Sequence, residues 1–460
     1  MLPYGACAAA EAAAAAGHET RLLDLMFERD PAGAVARACA AFRPGAVGFS
    51  LRNIDNNDRA APEVYYREAA ELAAAVRLAC TAPVVLGGAA MAIMPEALLR
   101  HTGADWGVRG DAGTAFPGLL AALAAGRSPL GAAGVLAAAP GGGLSGAAPE
   151  FREPAVRGLF PRFSRWVDLR AYRRLGAVAP LKTKLGCPFG CVYCTYSLGE
   201  GAGYRLCRPE EVAEAALALA RDGVRDIELV DSVFNSPYSH ALDVCAALRR
   251  AAPRARLHTG QLNPAFTDGK LLGAMRAAGF ASIGVTAESA DDGALAGLGK
   301  NYRRADLERA AAAVRAAGLP CLWVFLLGGP GETRAGVRRT LDFARRSVGP
   351  RDAAFFGVGV RVYPGTPLEA AARREGSLSV PPEEMLEPVF YRPPGLDLDW
   401  VRRELGAAML ERPEFIGPGA LGSPLVPALT RAAGLLGMRP PLWRHTGILR
   451  RALRAIGAEL

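Results

Sequence analysis

Three cysteines, Cys187, Cys191 and Cys194, fall within eight residues in the stretch GCPFGCVYC. Cysteine thiolates are the normal ligands of a cubane iron–sulfur cluster. Three of them on one short loop leave the fourth iron without a protein ligand, open to a small chelating molecule. Zinc is the competing chemistry, but it usually takes four protein ligands in paired knuckles. Its fourth ligand here would have to be Cys207 or a distant residue. An electron carrier of the ferredoxin type would need a fourth cysteine at close spacing. Unliganded packing does not account for three thiols so close together beside proline and glycine. The remaining six cysteines are scattered, and the odd total of nine does not look like a secreted disulfide framework. A reducing, cytoplasmic compartment is the expectation.

A loop of this kind needs a scaffold, and the flanking pattern supplies one. Six strand candidates follow one another, each trailed by a helix or loop: Leu181–Leu185, Asp226–Val230, Arg256–Gln261, Ser282–Thr286, Leu322–Leu327 and Phe355–Val362. Helical periods lie between them, among them Pro209–Arg221 and Arg304–Ala317. Six β/α units in a row fit a barrel or partial barrel, whose chemistry sits at the C-terminal ends of the strands. The cysteine loop follows the first of these strands. Ahead of the barrel, short β runs at Thr20–Leu25, Ala46–Phe49, Pro83–Leu86 and Trp106–Val108 alternate with alanine-rich helices. That alternation argues for a parallel sheet covered on both faces. The expected division is residues 1–126, a linker over 127–164 that is rich in Gly, Ala and Pro, a barrel over 165–374, and a helical region over 375–460.

The net charge of +9 comes from arginines scattered along the chain. No basic run is interleaved with aromatics, so a nucleic-acid partner is not expected. The start lacks a basic region before its apolar stretch, and neither a signal peptide nor a membrane span is read there. The basic stripe around 443–456, with Arg450, Arg451 and Arg454 against Leu449, Leu453 and Ile456, reads as a helix packed on its own protein rather than a lipid anchor.

At the cysteine loop the chain resembles the radical S-adenosylmethionine superfamily, with Tyr193 in the aromatic slot of its C-x-x-x-C-x-aromatic-C pattern. Further segments resemble that family in order. ELVDSVFN looks like its second strand, placing Asp231, Ser232 and Asn235 at the active site, with Asp231 and Asn235 as candidate catalytic groups. GVTAES resembles its fourth strand and puts Glu288 near the methionine amino group. FLLGGPGET resembles the fifth, with Gly328 and Gly329 at the cofactor. RVYPGTPL resembles the sixth-strand end of the cobalamin-associated branch. Taken singly, each segment has a plainer reading, such as a turn forced by GPG. The resemblance implies a 4Fe-4S cluster, S-adenosylmethionine and its cleavage to a 5′-deoxyadenosyl radical. One departure is Cys207, which stands where the branch often has a second arginine after Arg205. It is either a reactive thiol or a small packed residue.

The segments GHETRLLDL, GAVGFSLRN, APVVLGGAAM and ADWGVRGDAGTAFPGLL resemble the flavodoxin-like cobalamin-binding domain of the same branch. Ligands of such sheets lie beyond the strands' carboxyl ends, which brings Ser50, Leu51, Gly87, Gly88 and Gly110 to the cobalamin. The Asp-x-His-x-x-Gly ligand motif is absent, so cobalt would have no histidine from this domain. The first residues read as a loop and a helix, Ala8–Ala16, ended by Gly17. None remain for the usual opening strand, which is central in this fold. The expectation is a sheet short of that strand, with Thr20–Leu25 displaced or at an edge. A protein that begins upstream, or has a compromised first domain, would follow, and an upstream extension would raise cobalamin occupancy.

The fold expected is thus α/β: a flavodoxin-like domain, a partial (β/α)6 barrel and a helical extension. The function implied is a radical methylation of an unactivated carbon with cobalamin, on a small-molecule or peptide substrate, with an electron donor such as flavodoxin or ferredoxin. The alternatives are a cobalamin-free radical enzyme with a vestigial first domain, or a zinc-stabilised interaction protein.

Overall fold

Two sheets organise the computed structural model, which describes residues 1–151, 159–420, 432–433 and 437–455. The first contains β1 (Val47–Ser50), β2 (Val84–Gly87), β3 (Trp106–Val108), β4 (Val135–Ala138) and β5 (Leu144–Gly146), in that spatial order. β1 to β3 are parallel and β4 and β5 antiparallel. Val84, Val85 and Leu86 are all buried, as a strand covered on both faces requires. The β4–β5 hairpin arises from residues read above as linker. Its apolar run is only four residues, and the glycines at 142 and 143 take positive φ angles at its turn, a conformation open to glycine without steric cost.

β1 is an edge strand, pairing among the described residues only with β2. Thr20–Leu25 forms no strand. The segment runs extended into a short 3-10 turn, Leu25–Phe27, and lies along the join of the two domains. Leu22 packs on the barrel core, while Leu23 and Leu25 pack on a second cluster built from residues of both domains. The Tyr172 hydroxyl donates to Asp24 at 3.1 Å. The helix Tyr4–Ala15 ends at the expected place, with Gly17 at φ +90°. Its Cys7, with Leu2, is buried in the barrel core.

The barrel opens with β6 (Ala179–Leu181). A two-stranded ladder of β7 (Lys184–Leu185) and β8 (Arg205–Leu206) then flanks the cysteine loop. Expected as one strand, residues 181–185 are divided because Asp231 captures both the backbone N–H and the hydroxyl of Thr183, at 2.7 and 2.5 Å. β9 (Asp226–Leu229), β10 (Arg256–Leu262), β11 (Phe280–Glu288), β12 (Cys321–Leu327), β13 (Ala353–Val358) and β14 (Phe415–Ile416) complete the sheet, ordered β6, β9, β10, β11, β12, β13, β14. Every neighbouring pair is parallel, and β6 and β14 are open edges, so this is a partial barrel. Alternation sends Ile227, Leu229, Ile283, Trp323, Phe325 and Phe356 into the core under the helices, and leaves the intervening residues to line the interior.

β14 comes from the region expected to be helical. Phe415 anchors it against Phe356, with ring centroids 5.1 Å apart. In the last helix, Thr446–Ala455, Arg450 donates to the Phe415 carbonyl and Arg451 pairs with Glu414. The basic tail therefore packs on its own protein, and Ile456 lies outside the described residues. No helix among the described residues is long and apolar enough to cross a membrane.

One buried group burdens this fold. Glu332, after the glycine turn that follows β12, is 4% exposed. Its oxygens lie near the Gly328 and Thr333 amides without reaching hydrogen-bond geometry. Burial, then Asp291, push its carboxyl up to about 7. A raised carboxyl pKa favours the folded state while the group is protonated. That contribution is full below the unfolded value of about 4.3 and is lost as pH rises to about 7, a difference on the order of 3 kcal/mol. Glu332→Gln is therefore expected to stabilise the protein most at about pH 8, with the gain shrinking toward about pH 4. Denaturant midpoints at the two pH values check this; an equal gain at both would contradict it.

Candidate functional site

The cysteine loop is braced from several sides. Gly186 takes φ +82°, and a Cβ there would strike the Gly203 carbonyl, so glycine is required where the chain leaves β7. The Cys187 N–H donates to the Gly201 carbonyl at 3.2 Å, and the Val192 N–H to the Leu298 carbonyl at 3.1 Å. The Val192 carbonyl in turn accepts from Leu368 N–H at 2.9 Å. Cys187 is buried, and Cys191 and Cys194 are half-buried. Burial raises the Cys191 thiol and takes that of Cys194 to about 11. The Lys300 ammonium works against this at Cys191, and the Tyr196 N–H at Cys194. Both would stabilise thiolates. No three His, Cys, Asp or Glu side chains among the described residues converge closely enough to share one metal ion. A cluster in which each thiolate takes a different iron makes no such demand, so the donor set fits a cluster with an open iron better than a zinc site.

Beside the loop stands a buried triad. The Tyr193 hydroxyl donates to Glu288 Oε1 at 2.7 Å, and Lys300 Nζ donates to the same oxygen at 2.9 Å and to the Tyr193 oxygen at 2.9 Å. Burial alone would pull Lys300 down, but Glu288 holds it well above the usual lysine range. Burial and then Glu288 raise Tyr193. Glu288 closes β11 with φ +55°, a left-handed conformation that costs a non-glycine residue of the order of 1–3 kcal/mol. This turn carries its carboxylate to the cysteine loop, with its second oxygen outside the triad. Lys300 was not legible in the sequence: it is 107 positions from Tyr193 and sits in no motif.

The other expected residues fall into place less directly. Asp231 is buried and accepts from Thr183 and from Lys184 Nζ at 3.1 Å. Asn235 is also buried; it donates to the Asn263 carbonyl and Thr267 hydroxyl and accepts from Asn263 N–H at 2.8 Å. Both side chains tie strand ends together. Ser232 donates to the Gly186 carbonyl at 3.0 Å, at the root of the cysteine loop. Gly328 takes φ +87°, which glycine adopts without strain, and a Cβ at Gly328 or Gly329 would press on the side-chain ends of Leu398 and Leu298. Cys207 is buried in the barrel core, and burial pushes its thiol to about 12. It is the packed residue of the two readings.

In the first domain Ser50, Leu51, Gly87 and Gly88 meet at the C-terminal ends of β1 and β2. Gly88 takes φ +95°, and a Cβ there would meet the Leu51 carbonyl, so glycine is required. Ser50 and Gly88 nevertheless stay exposed at the strand ends, which leaves bare backbone for a corrin or its tail. Gly110 follows β3 at φ +81°, against Pro149. Among the described residues no histidine stands at these strand ends. His101 packs edge-on against Tyr66 at 4.7 Å, at the end of its helix.

Contacts at the ends of β1, β2 and β3 hold the strand ends of the two domains face to face. After β1, Asp55 accepts from Arg361 Nε at 2.9 Å, both side chains being at most 3% exposed. Nearby the Tyr363 hydroxyl donates to Asn57 at 2.8 Å. After β2, the helix Ala89–Ile93 touches the helix Tyr196–Glu200 that follows the cysteine loop, with Ala92 against Gly199. After β3, Asp111 pairs with both terminal nitrogens of Arg205. The first and third contacts use Arg361 of RVYPGTPL and Arg205; of their acidic partners, Asp111 lies in ADWGVRGDAGTAFPGLL and Asp55 lies in no quoted segment.

Comparison with known proteins agrees with this arrangement. Residues 1–120 match the B12 binding domain model, and residues 182–344 match the radical SAM superfamily model. The chain is 26% identical to tryptophan 2-C-methyltransferase of Streptomyces laurentii, over 79% of this chain and 71% of that one. It is also 26% identical to an uncharacterized methyltransferase of Pyrococcus horikoshii, over 76% and 74%. Its fold superposes on that of TsrM from Kitasatospora setae, a radical S-adenosylmethionine methyltransferase solved with cobalamin and a 4Fe-4S cluster bound. The TM-score is 0.86 at 25% identity, covering 98% of this chain and 96% of that one. With the cysteine loop, the opposed strand ends and both domain matches in agreement, the chain belongs to the radical S-adenosylmethionine superfamily, in the branch that carries a cobalamin-binding domain ahead of its barrel.

Proposed function

We propose that this protein is a cobalamin-dependent methyltransferase acting on an unactivated carbon of a small molecule. The observation that carries the reading is the opposition of the two sets of strand ends. Ligands of open α/β sheets and of barrels both lie at the carboxyl ends of strands, so the two cofactor sites open on one shared space. When bound, the cluster supplies an electron, S-adenosylmethionine a methyl group or a 5′-deoxyadenosyl radical, and cobalamin a methyl carrier.

The chain's own residues do the holding. Cys187, Cys191 and Cys194 hold the cluster. Glu288, steadied by Tyr193 and Lys300, offers its second oxygen to the methionine ammonium beside the open iron. Ser50, Leu51, Gly87, Gly88 and Gly110 border the cobalamin. The Asp55–Arg361 and Asp111–Arg205 pairs keep the domains closed, which fixes donor and acceptor geometry and excludes water. A flavodoxin or ferredoxin would serve as electron donor, in the reducing cytoplasm where exposed clusters persist.

Tryptophan, the substrate bound in a TsrM structure, is the first compound to assay. Reduced holoprotein would be given S-adenosylmethionine deuterated in its methyl group, together with tryptophan and other small candidates. The expected result is a product carrying the labelled methyl on carbon. Consumption of S-adenosylmethionine with no labelled product from any candidate would count against the reading.

A further inference from the structure

The barrel interior holds a half-buried carboxylate with no side-chain partner among the described residues. β9 sends Ile227 and Leu229 outward into the core, so Asp226 and Glu228 point inward. The register agrees, placing Glu228 beside Pro180 on one side and His258 on the other, and His258 beside Ser282. The other carboxylates on the barrel strands are matched. Asp226 pairs with Arg256 at 2.6 Å and His258 at 3.0 Å, and Glu288 pairs with Lys300. Glu228 carries neither a hydrogen bond nor an ion pair among the described residues.

Small residues flank it. On the adjacent strand a Cβ at Gly260 would stand 3.5 Å from Glu228 Oε1, and on the strand beyond, Gly284 presses against the Gly260 backbone. Two neighbouring glycines, beside an irregular register in β10 between Thr259 and Leu262, carry no side chains there. The cationic groups facing Glu228 are His258, the Met1 amino group and Arg52. His258 is already bonded on both ring nitrogens, to Asp226 and Ser282. Neither of the others reaches hydrogen-bond distance. Glu228 is only half-buried, so its carboxylate stays accessible and can form a charge-assisted hydrogen bond with a cation that meets it.

We propose that Glu228 is a specificity residue that receives a protonated amine of the substrate inside the barrel. This rests on the methyltransferase reading and narrows it to amine-bearing substrates. Glu228 sits on β9, two strands away from Glu288 on β11, so the two carboxylates divide the work. Glu288 serves the methionine ammonium and Glu228 the substrate.

The test uses holoprotein and a panel of the protein amino acids, each with its N-acetyl form as a neutral twin, read by saturation-transfer NMR. Free amines are expected to bind, and their N-acetyl twins at least about tenfold more weakly, the loss of one charge-assisted hydrogen bond. Glu228→Gln should erase that difference, and Glu228→Asp should keep part of it. Iron content and S-adenosylmethionine affinity should match wild type in both variants, which guards against a folding defect. No amine binding to wild type, equal binding of twins, or discrimination surviving in Glu228→Gln would each overturn the proposal. Labelled methyl transfer to an amine-free compound would overturn it while upholding the methyltransferase reading. Intact amine discrimination without methyl transfer to any bound amine would do the reverse.

Discussion

Cys191→Ala is expected to lose the iron–sulfur cluster and, with it, all reductive cleavage of S-adenosylmethionine. Cys191 is the middle ligand of the loop, faced by Lys300 and closest in sequence to the Val192 brace. Without it two thiolates on one loop would have to hold four irons, and a cubane takes a thiolate at each liganded iron. Anaerobic reconstitution followed by iron and sulfide analysis, with product chromatography for 5′-deoxyadenosine, measures the effect. The loop's braces are backbone hydrogen bonds that do not involve the Cys191 side chain, so the fold should survive. A variant that retains wild-type iron and cleaves the cofactor would sink the ligand assignment.

Glu288→Gln is expected to act twice. Loss of a charge-assisted hydrogen bond to the methionine ammonium, worth about 1.5–3 kcal/mol, weakens S-adenosylmethionine binding roughly tenfold or more. The same change strands Lys300, whose side chain is 7% exposed, without its counter-charge. Removing one partner of a buried pair typically costs about 3–5 kcal/mol. The double variant Glu288→Gln with Lys300→Met separates the two effects. It should recover most of the stability and none of the affinity. Calorimetric titration and denaturant unfolding read the two quantities on the same samples. Recovery of affinity in the double variant would mean that Glu288 only balances Lys300 and does not touch the cofactor.

What was legible in the sequence was local. The cysteine loop could be read because its three ligands are neighbours in the chain, and the barrel strands because alternation of inward and outward residues is written in consecutive positions. The pairs that assemble the site are not local. Asp55 and Arg361 are 306 positions apart, and Asp111 and Arg205 are 94 apart. In sequence Asp55 looks like any solvated loop residue, and the segment that carries Asp111 does not tell which basic residue it meets. Asp231 and Asn235 were found by their place at the end of β9, but position alone does not reveal that Thr183, Lys184 and Asn263 already occupy their side chains. The hairpin at β4 and β5 was hidden because a four-residue apolar run among alanines and glycines has too little period to separate it from a linker. Thr20–Leu25 shows the converse: an acceptable strand pattern becomes a strand only where a neighbour offers hydrogen bonds. Here the segment is held instead by apolar contacts on both domains.

The central claim is that one chain presents a cluster site and a cobalamin site to the same space, and metal content tests it most directly. Protein reconstituted anaerobically with iron, sulfide and cobalamin, then freed of unbound metal, would be analysed for iron, cobalt and zinc in a single measurement. The account predicts about four irons and about one cobalt per chain, with zinc negligible. Stoichiometric zinc with little iron, or a full cluster with no retained cobalt, would contradict it.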